Sequence, residues 1–148
     1  MSHSCHTNQR GFSLIELLIV VAIIGIVAAI AIPNYLASQQ AAHTSAAIQS
    51  MRLIHSSEAS YLTANGQYAD LATLGATNHL NDPLLAAGYK SRYSYTVTVN
   101  AIDPSRNYEA IGTPGLSPMK SRHFFIDASG LTRFANGSPA SAASQPLK

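Results

Sequence analysis

Residues 12–32 read FSLIELLIVVAIIGIVAAIAI, an apolar run interrupted by one charge, Glu16. At about 1.5 Å per residue, a helix over this run covers roughly 31 Å, close to the hydrocarbon thickness of a bilayer. Its apolar residues face every direction, which predicts a membrane-spanning helix. From residue 34 the pattern changes without a break. Residues 34–64 contain neither Pro nor Gly, are rich in Ala, and place Ala47, Ile48, Met51, Ile54, Tyr61 and Leu62 near helical spacing. The apolar repeat lapses around 55–60, and Asn65-Gly66 supplies a left-handed stop. The pattern predicts one helix over about 12–64, apolar all round in its first half and amphipathic in its second.

Beyond Gly66 the period shortens. Tyr68, Leu71, Leu74, Leu80, Leu84 and Leu85 predict a connecting segment packed back onto the helix, with short helical turns at 71–74 and 83–87. In residues 92–99 apolar and polar positions alternate, so Tyr93, Tyr95, Val97 and Val99 share one face of a strand. Further strands are predicted at 108–112, 122–127 and 131–135, with breaks at 103–106, 113–118 and 128–130. The fold class is therefore α+β: a long N-terminal helix with a roughly four-stranded antiparallel sheet on its second half. Residues 136–148 are rich in Ser, Ala and Pro and read as a flexible tail.

Charge and cysteine sharpen the first eleven residues. MSHSCHTNQRG carries Arg10, no acid, and the only cysteine, Cys5. Positive charge beside a span favours the cytoplasmic side, which sends the C-terminal bulk outward. A cleaved secretory signal fits poorly, because its apolar core is only about 7–15 residues long. Nine Lys/Arg against seven Asp/Glu give no basic stripe of the kind that binds nucleic acid. Glu16 is the anomaly, since a charge inside an apolar span costs roughly 2.5–3.5 kcal/mol at mid-span and less near an end.

The run Arg10-Gly11-Phe12-Ser13-Leu14-Ile15-Glu16-Leu17-Leu18, continued to Ala31-Ile32-Pro33, resembles the processing and assembly segment of type IV pilins and type II secretion pseudopilins. The resemblance implies a pilin fold and a leader, residues 1–11, cut between Gly11 and Phe12 by a prepilin peptidase. Phe12 then becomes an N-methylated N-terminus. It also implies that Glu16 serves assembly, and that Gly25 and Pro33 lend the helix local flexibility. On this reading residues 12–33 are the transmembrane and assembly helix, and 34–135 form the outward globular domain. Loss of the leader removes Cys5, so no disulfide closes that domain.

The implied partners are further copies of the chain, the peptidase, an inner-membrane platform with its ATPase, minor pilins, and lipid before assembly. The implied location is the inner membrane, leader inside, and then a surface pilus or a periplasmic pseudopilus. Two other readings stay open: a type II secretion pseudopilin, and an uncleaved single-pass binding protein. No catalytic or cofactor-binding constellation is visible, and no metal site. His123 and Asp127 share a strand face, read as solvated polarity; His43 and His55 are too far apart to chelate together. One carboxylate in 127–130 is too few for calcium. Asn136-Gly137-Ser138 matches a glycosylation sequon.

Overall fold

Helix α1, Leu14–Asn65, begins directly after Ser13 and ends where Asn65 gives way to Gly66. Gly66 has φ +74°, a conformation that glycine adopts without strain, and its N–H closes the last turn on the Leu62 carbonyl at 2.8 Å. The structure, a computed structural model, describes residues 11–115 and 122–147. The chain divides into two compact units, Met1–Ser38 and Gln39–Lys148, and α1 belongs partly to each. Most of the leader and the expected break at 116–118 lie outside the described residues.

Within the second unit α1 buries Ala47, Ser50, Met51, Ile54, Ser57, Glu58 and Tyr61. These positions recur every three or four residues and so form one stripe. The stripe does not lapse at 55–60; it continues through two polar residues, Ser57 and Glu58. The next segment forms two short helices, α2 (Leu71–Ala76) and α3 (Pro83–Ala86). Each starts on an aspartate cap. Asp70 accepts from the Thr73 N–H at 2.8 Å and Asp82 from the Leu85 N–H at 3.1 Å, and Pro83 sits in the first turn, where its missing donor is harmless. Hydrogen bonds from Thr73 hold the Asp70 carboxyl below the usual range. The Lys90 ammonium, which pairs with Asp82, does the same there.

Six strands follow as an antiparallel meander in chain order: β1 (Tyr89–Lys90), β2 (Tyr93–Val99), β3 (Tyr108–Pro114), β4 (Arg122–Asp127), β5 (Arg133–Asn136) and β6 (Gln145–Pro146). The four central strands match the expected ones, and two short edge strands extend them. Tyr93, Tyr95, Tyr108, Ala110, Phe124 and Ile126 point inward and form one core with Ala47, Met51, Ile54, Tyr61, Leu74 and Leu85. Gly112, paired between Tyr95 and Phe124, lets the helix approach. A Cβ there would lie 3.3 Å from the Met51 sulfur and 3.4 Å from the Tyr95 ring.

β4 is buried on both faces. Phe124 and Ile126 join the core, while His123 and Phe125 alternate to the other side and are also buried. His123 therefore departs from the solvated polarity expected of it; the residue is 5% exposed, and burial lowers its pKa. The segment from 136 onward departs from a flexible tail. Gln145 pairs with Phe134 and Pro146 with Arg133, the Leu147 N–H donates to the Thr132 carbonyl at 2.8 Å, and Arg133 Nη1 donates to the Ser144 carbonyl at 3.2 Å. Ala140 is buried and Leu147 packs against the core. Backbone pairing to β5 holds a segment whose own composition is polar.

Ending the chain at Asn136 removes those hydrogen bonds, at about 1 kcal/mol each, together with the packing of Ala140 and Leu147. The expected loss is on the order of 3 kcal/mol of domain stability. A urea unfolding midpoint, measured by circular dichroism on the detergent-solubilised chain, reads it directly. An unchanged midpoint would return 137–148 to the status of a tail.

Candidate functional site

The residues singled out from the sequence sit at the start of α1, in the first unit. Ser13 precedes the first helical residue and Glu16 lies in the first turn, where the partial positive charge of the helix start favours an acid. Glu16 Oε2 accepts from the Ser13 N–H at 2.9 Å. This is the acidic half of a capping box: the side chain satisfies an amide that the helix itself leaves open. The Leu17 N–H closes the first turn on the Ser13 carbonyl at 3.3 Å.

Around this start the helix has no apolar partner among the described residues of its unit. Phe12 is 82% exposed, and Leu14, Ile15, Leu17, Leu18, Ile23, Ile24, Val27 and Ile30 are exposed on all sides. The 18-residue apolar window has a mean hydropathy of 3.1 and none of it is buried. Length and composition thus suffice to cross a membrane. A continuous apolar surface of this size marks a lipid or protein contact. Gly25 and Pro33 both lie inside α1, which stays helical through them. A Cβ at Gly25 would meet nothing within 4 Å, so the glycine leaves an open notch in the surface. Pro33 removes one backbone donor from the helix ladder.

The second unit brings together a polar group that sequence reasoning missed. Glu58 is 0% exposed; its Oε2 accepts from the Ala69 N–H at 3.1 Å, while Oε1 has no hydrogen-bond partner. Burial pushes its carboxyl up to about 7, against the pull of the Ala69 N–H and with a further push from Asp70. Nearby, His55 Nδ1 and the Tyr108 hydroxyl share a 2.7 Å hydrogen bond, and Tyr108 is likewise pushed up, by burial first and by Glu58 next. The sequence did carry a signal for Glu58. The spacing 47, 51, 54, 58, 61 places it on the buried stripe.

No group of three or more His, Cys, Asp or Glu arranged to hold a metal occurs among the described residues. His123 and Asp127 share a face of β4 as expected, but His123 Nδ1 has no hydrogen-bond partner and Asp127 caps its own turn through Ser129. The cavities are open surface hollows. One of about 350 Å³ lies along Tyr61, Tyr68, Asp70 and Pro104.

The prokaryotic N-terminal methylation motif matches residues 6–32, the stretch that holds Gly11, Phe12 and Glu16. The chain is 39% identical over 96 residues to the type IV major pilin protein PilA of Myxococcus xanthus, covering 65% of this chain and 40% of that protein. It is 35% identical over 94 residues to the type IV major pilin protein PilE1 of Neisseria gonorrhoeae, covering 64% and 41%. Over 27 residues it is 82% identical to a fimbrial protein of Pseudomonas aeruginosa, 18% of either chain. The matched stretches thus span about two fifths of the first two relatives. No solved structure matches the chain. The methylation motif, the similarity to major pilins and the helix-plus-meander architecture agree, and over the matched stretches the chain is similar to type IV major pilins.

Proposed function

We propose that this chain is the structural subunit of a type IV pilus. In this reading the precursor is held in the inner membrane by residues 12–33, with residues 1–11 in the cytoplasm and the domain outside. A prepilin peptidase cuts between Gly11 and Phe12 and methylates the new Phe12 amine. An inner-membrane platform with its ATPase then lifts the helix out of lipid into a filament of identical subunits, alongside minor pilins. The observation that carries this reading is the start of α1: an apolar helix unburied on every side, with one carboxylate in its first turn. The relatives' names, major pilin and fimbrial protein, support it.

Glu16 has a specific part in this scheme. Buried among neighbouring helices, an unpaired carboxylate is costly, whereas pairing with the Phe12 amine of an adjacent subunit offsets desolvation and fixes the axial register. Gly25 and Pro33 are the points at which the helix yields during packing, since each weakens its local backbone ladder or its side-chain cover.

Mass spectrometry of the purified mature chain should find an N-terminus at methyl-Phe12, and immunogold microscopy should find the chain in long surface fibres. Gly11→Leu should leave full-length precursor in the inner membrane and no fibres. A mature chain starting at Met1 would overturn processing and favour an uncleaved single-pass protein. Processed chain confined to short periplasmic assemblies would instead identify a type II secretion pseudopilin.

A further inference from the structure

Glu58 holds the one buried carboxyl among the described residues, and its setting is asymmetric. One oxygen takes the Ala69 N–H; the other is buried without a partner. The charged group that bears on it is an acid, Asp70, on the connection from α1 to α2. His55 on α1 is bonded to the Tyr108 hydroxyl through Nδ1, and Tyr68 on the connection packs on the same tyrosine. Tyr108 faces it from β3, and Asp127, at the end of β4, bears on the same tyrosine. Asp70 is a second acid, three bonds along the chain from the amide that Glu58 holds. Ionised, Glu58 therefore has one of its two oxygens unsatisfied and a like charge nearby, both of which disfavour burial.

The connection over Glu58 lies between α1 and α2, outside any helix or strand. Gly66 begins it at φ +74° with its N–H on the Leu62 carbonyl, the Tyr68 N–H donates to the Pro104 carbonyl at 2.9 Å, and the Tyr68 ring packs on Tyr108 with centroids 4.9 Å apart. Ala69 is buried in the core, and its N–H reaches Glu58 itself. A short segment outside the sheet ladder opens at lower free energy than the sheet.

We propose that Glu58 is a pH-operated latch on the 66–70 connection. The neutral carboxyl keeps the connection closed over α1; the ionised carboxylate draws in water and lets it open. The sign follows from linkage. The closed state binds the proton more tightly than the open state, so closure is fully supported under acidic conditions and weakens as pH rises through the neutral range. With a closed-state value of about 7 against a free value of 4.5, opening increases about tenfold between pH 6 and pH 8.5 and levels off above.

The test is amide hydrogen exchange on the full chain in detergent micelles, with rates corrected for intrinsic base catalysis. The corrected rate of the Ala69 amide should rise about tenfold from pH 6 to pH 8.5, while the amide of Ile126, in the sheet, stays level. In Glu58→Gln, nearly the same shape without the charge, the Ala69 rate should lose its pH dependence. A level Ala69 rate in the unsubstituted chain overturns the latch whether or not Glu58→Gln folds. So does a slope that survives in Glu58→Gln, or a rise shared equally by Ile126, which marks global loosening.

Discussion

Glu16→Ala subunits should be cleaved and methylated normally yet be nearly absent from surface fibres. In the proposed scheme the peptidase step turns on Gly11 and Phe12, which the substitution leaves alone. Assembly is a different matter. Before assembly the Glu16 carboxylate sits at the helix start and holds the Ser13 N–H at 2.9 Å, and removing it costs the isolated helix about 1 kcal/mol of capping. In the proposed filament the same position would face neighbouring apolar helices, and the substitution would leave the Phe12 ammonium of an adjacent subunit buried without its partner. Breaking a buried pair from one side costs about 3–5 kcal/mol per contact, a factor of roughly a hundred to several thousand in subunit association. Glu16→Gln keeps an acceptor for Ser13 and loses the charge, so it should restore the helix start without restoring assembly. Comparing processed subunit in cells with subunit in the sheared fibre fraction reads both steps. Fibre yields equal to the unsubstituted chain would show that Glu16 contributes capping alone.

The contrast between Glu16 and Glu58 also shows where sequence reasoning reached and where it stopped. Glu16 was legible because its surroundings are local. An acid at a fixed offset from Gly11, inside an all-apolar run, stands out whatever the rest of the chain does. The helix ends and the 122–127 strand were legible for the same reason, since caps and period-two alternation act over a few residues. Glu58 was hidden because its burial depends on Ala69 and Tyr108, the second of which is fifty residues away in sequence. Its polarity broke the apolar repeat and masked a stripe that the spacing alone preserves. The same holds for the C-terminal segment. Nothing in NGSPASAASQPLK is hydrophobic enough to announce a strand. β6 exists because β5 offers it an unpaired edge, and Leu147 has a core to reach. His123 failed in the other direction: alternation placed its face correctly, but did not reveal that both faces of β4 are covered.

Phe124→Ala should remove about 3–5 kcal/mol from the helix–sheet domain, a fifth or more of the roughly 5–15 kcal/mol that a domain has to lose. Phe124 is fully buried at the centre of β4, paired in register with Gly112 on one side and Phe134 on the other. Its ring lies 5.9 Å from that of Tyr93, and its Cβ is 3.6 Å from where a side chain at Gly112 would begin. That last distance makes the site hard to repair. Gly112 has no side chain with which to fill a void, and the Met51 sulfur is already held close to the same backbone. The cavity left by alanine therefore stays largely open, which puts the cost toward the upper part of the range. Phe124→Leu keeps most of the volume and should cost about 1–2 kcal/mol. Urea unfolding of the micelle-solubilised chain, followed through tyrosine circular dichroism, separates the two variants. If alanine and leucine fall together near the unsubstituted midpoint, the sheet–helix core does not carry the domain. Loss of the domain would then track the C-terminal deletion instead, and β6 rather than Phe124 would be the principal tie.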